Sequence, residues 1–246
     1  MEMGEALRTC GRDIVYSMSN AAPLAVVPTL YEYAQLWRST GDIRDTWKSV
    51  KSIAFDKQEA WSIYRRPGGW PDADMMVLGR VGWGKGEHPI NPTQLTPDEQ
   101  YTHMTMWAIL ASPLILGCDL TKADDFLVSL LTNNEVIAVN QDELGLSPAR
   151  IYGDNNEYAI YEKPLADGSL AIAMFNLGDA PRKLGFYPIN IGLLEGQTVR
   201  DLWRQQDVAA IKYNEKFEAE LPLTAASSSS SARATSTLAH AASTTA

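Results

Sequence analysis

The chain changes rhythm once, near Leu146-Ser147-Pro148, and that change limits the folds open to it. Before it, short apolar runs alternate with amphipathic stretches. From Arg150 onward only short strand-like runs appear, at Tyr158 to Tyr161, Leu170 to Phe175, Lys183 to Tyr187 and Val199 to Trp203. Alternating strand and helix signals belong to an α/β unit with a parallel sheet, whereas closely spaced strands alone build an antiparallel all-β unit. The pattern predicts an α/β domain over residues 1–146 and an all-β domain over 147–223. A Ser/Ala/Thr-rich tail over 224–246 has almost no large apolar residue to offset the entropy of ordering, and is expected to be disordered.

Local signals fill in the first domain. Asp13 to Ser19 reads as a short buried strand opening into a loop at Pro23, with a helix before it. From Arg44 to Lys57, Trp47, Val50, Ile53 and Ala54 recur at three- and four-residue steps, which predicts an amphipathic helix starting just after Asp42. Thr96-Pro97-Asp98-Glu99 combines an N-cap Thr, a Pro at the first helical position and a Glu three residues on, so a capped helix should run to about Ala111 with Met104, Trp107, Ala108 and Ala111 inward. Pro113 to Cys118 is a continuous apolar run that suits a strand buried on both faces, and a helix over about Ala123 to Thr132 should follow.

Composition removes several classes of function. A formal charge of −9, with no basic run longer than Arg65-Arg66, argues against nucleic acid and anionic membranes as partners. Cys10 and Cys118 allow at most one bridge and no cysteine metal site. His88, His103 and His240 lack metal-ligand spacing, and His103 falls inside a helical pattern, so no metal or other cofactor is expected. No stretch approaches the roughly 20 apolar residues of a membrane span, and no export signal is visible at the N-terminus.

Two carboxylate clusters adjoin candidate strand ends, Arg38-Ser39-Thr40-Gly41-Asp42 and Gly68-Gly69-Trp70-Pro71-Asp72-Ala73-Asp74-Met75. Acidic residues beside Gly and Trp suit a sugar site, where a ring stacks on an aromatic group and hydroxyls bond carboxylates. Asp42 has two readings at this point: a helix N-cap ahead of Arg44, or a catalytic acid. Asp72 and Asp74 likewise read as a solvated turn, a weak cation loop or a sugar contact. Trp47 and Trp107 are core by their spacing, and Trp70 is the tryptophan expected near a ligand.

The runs DIVYSMS, LWRSTGDIRDTWKS, GGWPDADMMVLG, LTPDEQYTHMTMWAILASPLILGCDL and LLTNNEVIAVNQDELG, in this order and spacing over about Met3 to Leu221, resemble the melibiase-type α-galactosidase family, which includes α-N-acetylgalactosaminidases. The resemblance implies a (β/α)8 TIM barrel, of which residues 1–146 would be the C-terminal half with about strands five to eight, followed by an antiparallel β-sandwich. Trp37 through Asp45 matches the family's W-R-x-x-x-D-I-x-D segment, making Asp42 the general acid/base. Arg38 then contacts a sugar hydroxyl or the nucleophile's carboxylate. Asp74 and Met75 take sugar-lining positions, in a segment where Pro71 and Ala73 replace the family's Asn and Pro. Ser19 and Ala22 fall where side-chain size selects galactose or N-acetylgalactosamine. An α-galactoside is the substrate expected first, and family members are commonly exported.

Retaining glycosidases use two carboxyl groups about 5–5.5 Å apart, one as nucleophile and one as acid/base. The family nucleophile lies in a K-Y-D-x-C type motif on an earlier strand, and this sequence contains no such motif. The expectation is that the first four strands and the nucleophile precede Met1, that the Ser-rich tail replaces the closing sandwich strand, and that the reading frame is truncated or misassembled. The isolated polypeptide should then show little or no α-galactosidase activity.

Overall fold

The computed structural model describes residues 2–82, 84, 89–222 and 236–243; His88 lies outside them. In chain order the first unit runs α1 (Glu2–Thr9), β1 (Ser17–Met18), α2 (Val27–Tyr33), β2 (Leu36–Arg38), α3 (Trp47–Lys51), β3 (Trp70–Asp72), β4 (Arg80–Val81), β5 (Asn91–Pro92), α4 (Pro97–Leu110), α5 (Asp125–Leu131) and α6 (Asn134–Asn140). Strands β1, β2 and β3 form a parallel sheet in that order, with Ser17 opposite Leu36 and Arg38 opposite Asp72. An isolated parallel bridge, Met76 to Leu116, continues the same direction.

Helix α4 forms where its capping box predicts. The Thr96 side chain accepts from Glu99 N–H, and the Glu99 carboxylate accepts from Thr96 N–H. The helix ends at Ala111, whose left-handed φ of 52° stops the hydrogen-bond ladder. Met104, Trp107, Ala108 and Ala111 are buried as expected.

Three local expectations need correction. The helix after Asp42 begins at Trp47, and Thr46 is its N-cap, accepting from Ser49 N–H; beyond Lys51 it widens into a π-helical turn over Ser52–Lys57. The segment before Ser17 is not a buried strand, since Ile14 and Val15 are exposed, Val15 by 68%. Pro113 to Cys118 makes a single bridge and leaves Ile115 and Leu116 exposed. Burial on both faces needs a layer on each side, and neither segment has one in this structure.

The second unit contains β6 (Ala149–Gly153), β7 (Tyr158–Pro164), β8 (Leu170–Asn176), β9 (Arg182–Phe186), β10 (Gln197–Asp201), β11 (Gln206–Ile211), β12 (Phe217–Leu221) and β13 (Ser236–Ser243). A six-stranded sheet runs β11-β10-β13-β8-β7-β6, and β12 pairs with β9 in a second sheet. Ile160, Ile172, Met174, Leu184, Phe186, Val199 and Phe217 fill the space between them, giving the expected antiparallel β-sandwich.

Strand β8 explains why its sequence is apolar at nearly every position. Ile172 and Met174 point into the sandwich core, while Ala171, Ala173 and Phe175 join the core of the first unit. Alternate residues face opposite sides of a strand, so both faces of β8 are covered. Phe55 of the π-helical turn meets Phe175 edge to face at 5.1 Å, and Asn155 Nδ2 donates to the Phe55 carbonyl at 2.7 Å. One hydrophobic core thus spans both units.

The expected disordered tail is also corrected over Ser236–Ser243. This stretch forms β13, antiparallel to β10 on one side and to β8 on the other. Backbone groups paired along two neighbours do not require large apolar side chains, so composition alone misjudged the segment.

Candidate functional site

The candidate site is assembled where β2 and β3 end. Parallel strands deliver their C-terminal ends to the same side of a sheet, so Arg38 at the end of β2 and Asp72 at the end of β3 stand opposite each other. The turn after β3 then carries Asp74 toward Arg38. Asp74 has a φ of 87°, a costly conformation for a non-glycine residue. Several bonds hold it there: Asp74 N–H donates to Asp72 Oδ1, Met75 N–H to Asp74 Oδ1, Ala73 N–H to Ser112 Oγ, and Trp107 Nε1 to the Asp74 carbonyl at 2.7 Å.

The Asp74 carboxylate is spent on holding the Asp42 loop. Its Oδ2 accepts from Arg38 Nη2 at 2.6 Å and from Ile43 N–H at 2.7 Å. The same Arg38 nitrogen reaches Asp42 Oδ1 at 3.3 Å. The Asp42 side chain is otherwise open, 96% exposed, and the neighbouring helix is capped by Thr46. The N-cap reading of Asp42 is therefore overturned: this carboxylate is not consumed by backbone amides.

Further clamps fix the loop that bears Asp42. Ser39 N–H donates to the Asp72 carbonyl, Arg44 N–H to Ser49 Oγ, and the Asp45 carboxylate accepts from both Gln94 N–H and Gln94 Nε2. Asp45 and Gln94 had no assigned role in the sequence reading. Asp45 was visible in the same motif as Asp42, but its partner lies 49 residues away and carries no local signal.

Asp72 is buried at the end of β3. Burial pushes its carboxyl up to about 6; the Asp74 amide and the Arg38 guanidinium oppose that rise, and the Asp74 carboxylate adds to it. Arg65 lies nearby, fully buried, donating through Nε to Ser147 Oγ and through Nη1 to the Ala111 carbonyl. Burial lowers its guanidinium to about 9, against the pull of Asp72.

The remaining predicted residues divide. Ala22 N–H donates to the Arg38 carbonyl at 3.1 Å, which sets the Ser19 to Ala22 loop against the end of β2. Met75 shares the Asp74 turn, but its thioether packs over Gly117. Trp70 starts β3 while Asp72 ends it, and its ring packs over Gly145, so it stands at the opposite end of the strand from Asp42. Trp70 thus stands apart from the Asp42 cluster. Two clefts, of about 490 and 400 Å³, lie elsewhere, and neither is lined by Asp42.

Similarity to known proteins follows this geometry. The family model for α-galactosidase A matches residues 1–142, and that for the α-galactosidase C-terminal β-sandwich domain matches 155–228. Alpha-galactosidase 2 of Arabidopsis thaliana is 33% identical over 86% of this chain and 50% of that protein. An α-N-acetylgalactosaminidase of Gallus gallus is 29% identical over 88% of this chain and 53% of that protein. The crystal structure of a GH27 β-L-arabinopyranosidase from Geobacillus stearothermophilus superposes with a TM-score of 0.86 at 32% identity, covering 98% of this chain and 53% of that one. The chain spans about half the length of the curated relatives it matches. On the strength of both family models and these identities, the chain belongs to the α-galactosidase family of glycoside hydrolases, family 27.

Proposed function

We propose that this chain carries the proton-donor side of a retaining α-galactosidase site, with Asp42 as general acid/base. The observation that carries the reading is the state of Asp42: exposed at the end of a parallel strand, free of helix capping, and held by Arg38 on a loop pinned through Ile43 to Asp74. An acid/base must reach the leaving-group oxygen, and a carboxylate left open on a positioned loop has that access. Asp74 does not suit the nucleophile's role. Arg38 and two amides occupy its oxygens, which lowers its reactivity toward an anomeric carbon.

In this reading residues 1–146 are the C-terminal half of a (β/α)8 barrel. Strands β1, β2, β3 and the 113–118 segment are its fifth to eighth strands, and 147–223 belong to the sandwich. The parallel register of β1 to β3 and the parallel Met76 to Leu116 bridge support that assignment. The nucleophile comes from outside these 246 residues. The chain alone is expected to leave an aryl α-galactoside intact. Joined in frame to the N-terminal half of a family-27 relative, it should hydrolyse that substrate and lose about 10²- to 10⁴-fold in rate on Asp42→Asn. Turnover that survives Asp42→Asn unchanged would sink the assignment.

A second reading, an α-N-acetylgalactosaminidase, is favoured by the small side chains of Ser19 and Ala22, on a loop bonded to the Arg38 carbonyl. The same fusion assayed on aryl α-galactoside, α-N-acetylgalactosaminide and β-L-arabinopyranoside separates the substrates. The α-galactoside is expected to give the largest kcat/KM.

A further inference from the structure

The sandwich holds a cleft of about 400 Å³ that the reading of the Asp42 cluster does not use. It opens between the β6–β7 edge of the large sheet and β9 of the small one, and its size falls within the roughly 300–1,000 Å³ of ligand pockets. Its floor is apolar, made by Ile160, Leu184 and Phe186 of the sandwich core. Tyrosines from three separate segments line it: Tyr152, Tyr158 and Tyr187.

The polar groups of this cleft are arranged in advance. Asn190 Nδ2 donates to Tyr152 Oη at 3.0 Å, which orients the phenol. Arg182 lies 5.3 Å from the Tyr158 ring centre and pairs with Glu157 at 2.6 Å. Lys183 and Lys216 both grip Glu218, at 2.8 and 2.7 Å, and these two bonds hold the Glu218 carboxyl down at about 2. With Glu220 opposite Lys183 in the β9–β12 ladder, three cations stand among three carboxylates. Tyr187, 41% exposed, presents an aromatic face to water.

An apolar floor with phenol walls and fixed amide and ammonium donors matches one ligand chemistry well. The C–H face of a pyranose packs on an aromatic ring while its hydroxyls meet directional donors and acceptors. A peptide strand would need long apolar pockets, and a nucleotide phosphate would meet Glu157 and Glu218 beside the cations. We propose that this cleft binds a pyranose unit of a glycan, without turnover, and that its balanced charge favours a neutral hexose over a uronate.

The test uses the full chain, and Tyr187→Ala separates binding here from binding at the Asp42 cluster, because Tyr187 lines only this cleft. Titration calorimetry with D-galactose and D-galacturonate should show weak binding, with a Kd of about 1 mM. Galacturonate should bind no more tightly than galactose. Tyr187→Ala should weaken both sugars at least about tenfold, by loss of the stacking face. Circular dichroism melts of the variant check that the sandwich is intact. No heat with D-galactose at ten times that concentration, or binding that Tyr187→Ala leaves unchanged in folded protein, overturns the proposal. It does not depend on whether Asp42 is the acid/base.

Discussion

The two sheets of this molecule solve the same problem at different ranges. The antiparallel sheet pairs strands of five to eight residues, several of them joined by short turns, and buries a private core against β9 and β12. The parallel sheet has strands of two or three residues, and Ile14 and Val15 on one side of it and Ile115 and Leu116 on another stay exposed. Parallel strands require long crossovers and cover from helices, so their order depends on neighbours more than on their own ladders. The sandwich meets the first unit at its helical layer, where Phe55 packs on Phe175 and Tyr161. The rigid unit supports the chemically richer one.

The largest effect should come from breaking that support. Phe55→Ala removes a ring touching both units and should cost about 3–5 kcal/mol. Thermal unfolding followed by near-ultraviolet circular dichroism should show one transition shifted as a whole. A split melt, with the sandwich unchanged, would break the comparison.

Next comes the ion pair at the strand ends. Arg38→Ala leaves Asp74 buried without its cation and should destabilise the first unit by about 3 kcal/mol, read by urea titration. Hydrogen exchange should rise in residues 39–46, the loop that the pair holds, and stay unchanged in β7 and β8.

Asp72 sharpens the contrast through pH. Burial holds its carboxyl at about 6 in the folded chain, above the ordinary aspartate value of 3.8. The folded state therefore binds more protons between those values, and stability contributed by this group is present at low pH and lost as pH rises through about 6. Asp72→Asn should flatten that slope, by on the order of 2 kcal/mol across the window. An unchanged pH profile of the melting temperature would show that Asp72 is not the titrating group.

The smallest effect concerns a locally encoded feature. Thr96→Ala removes one half of the α4 capping box and should cost about 1 kcal/mol, with Thr96→Ser retaining most of the stability. A loss comparable with Arg38→Ala would mean that the α4 start carries more than its cap.

Local chemistry made part of this structure legible in advance. The α4 cap, the inward face of Trp107 and Ala108, and β7 to β10 follow from capping residues and periodicity, each read within a few residues. Asp42 and Arg38 were placed by a motif whose members lie within nine residues of one another. Their bonding was not legible, because Asp74 reaches Ile43 across 31 positions and Asp45 reaches Gln94 across 49. The position of Trp70, at the other end of β3 from Asp72, was not legible for a related reason: a strand has two ends, and sequence does not say which one joins the cluster.

What the sequence determined alone is the alternation of elements, their caps, and the switch from mixed to all-β architecture, since these rest on propensities and hydrophobic spacing within a turn or a strand. Tertiary structure decided the rest. It spent Asp74 on a loop, left Asp42 open, and made Ser236–Ser243 a strand between β8 and β10 despite a composition poor in large apolar residues. Each of those outcomes is a pairing between distant segments, whose free energy exists only once both partners have been brought together.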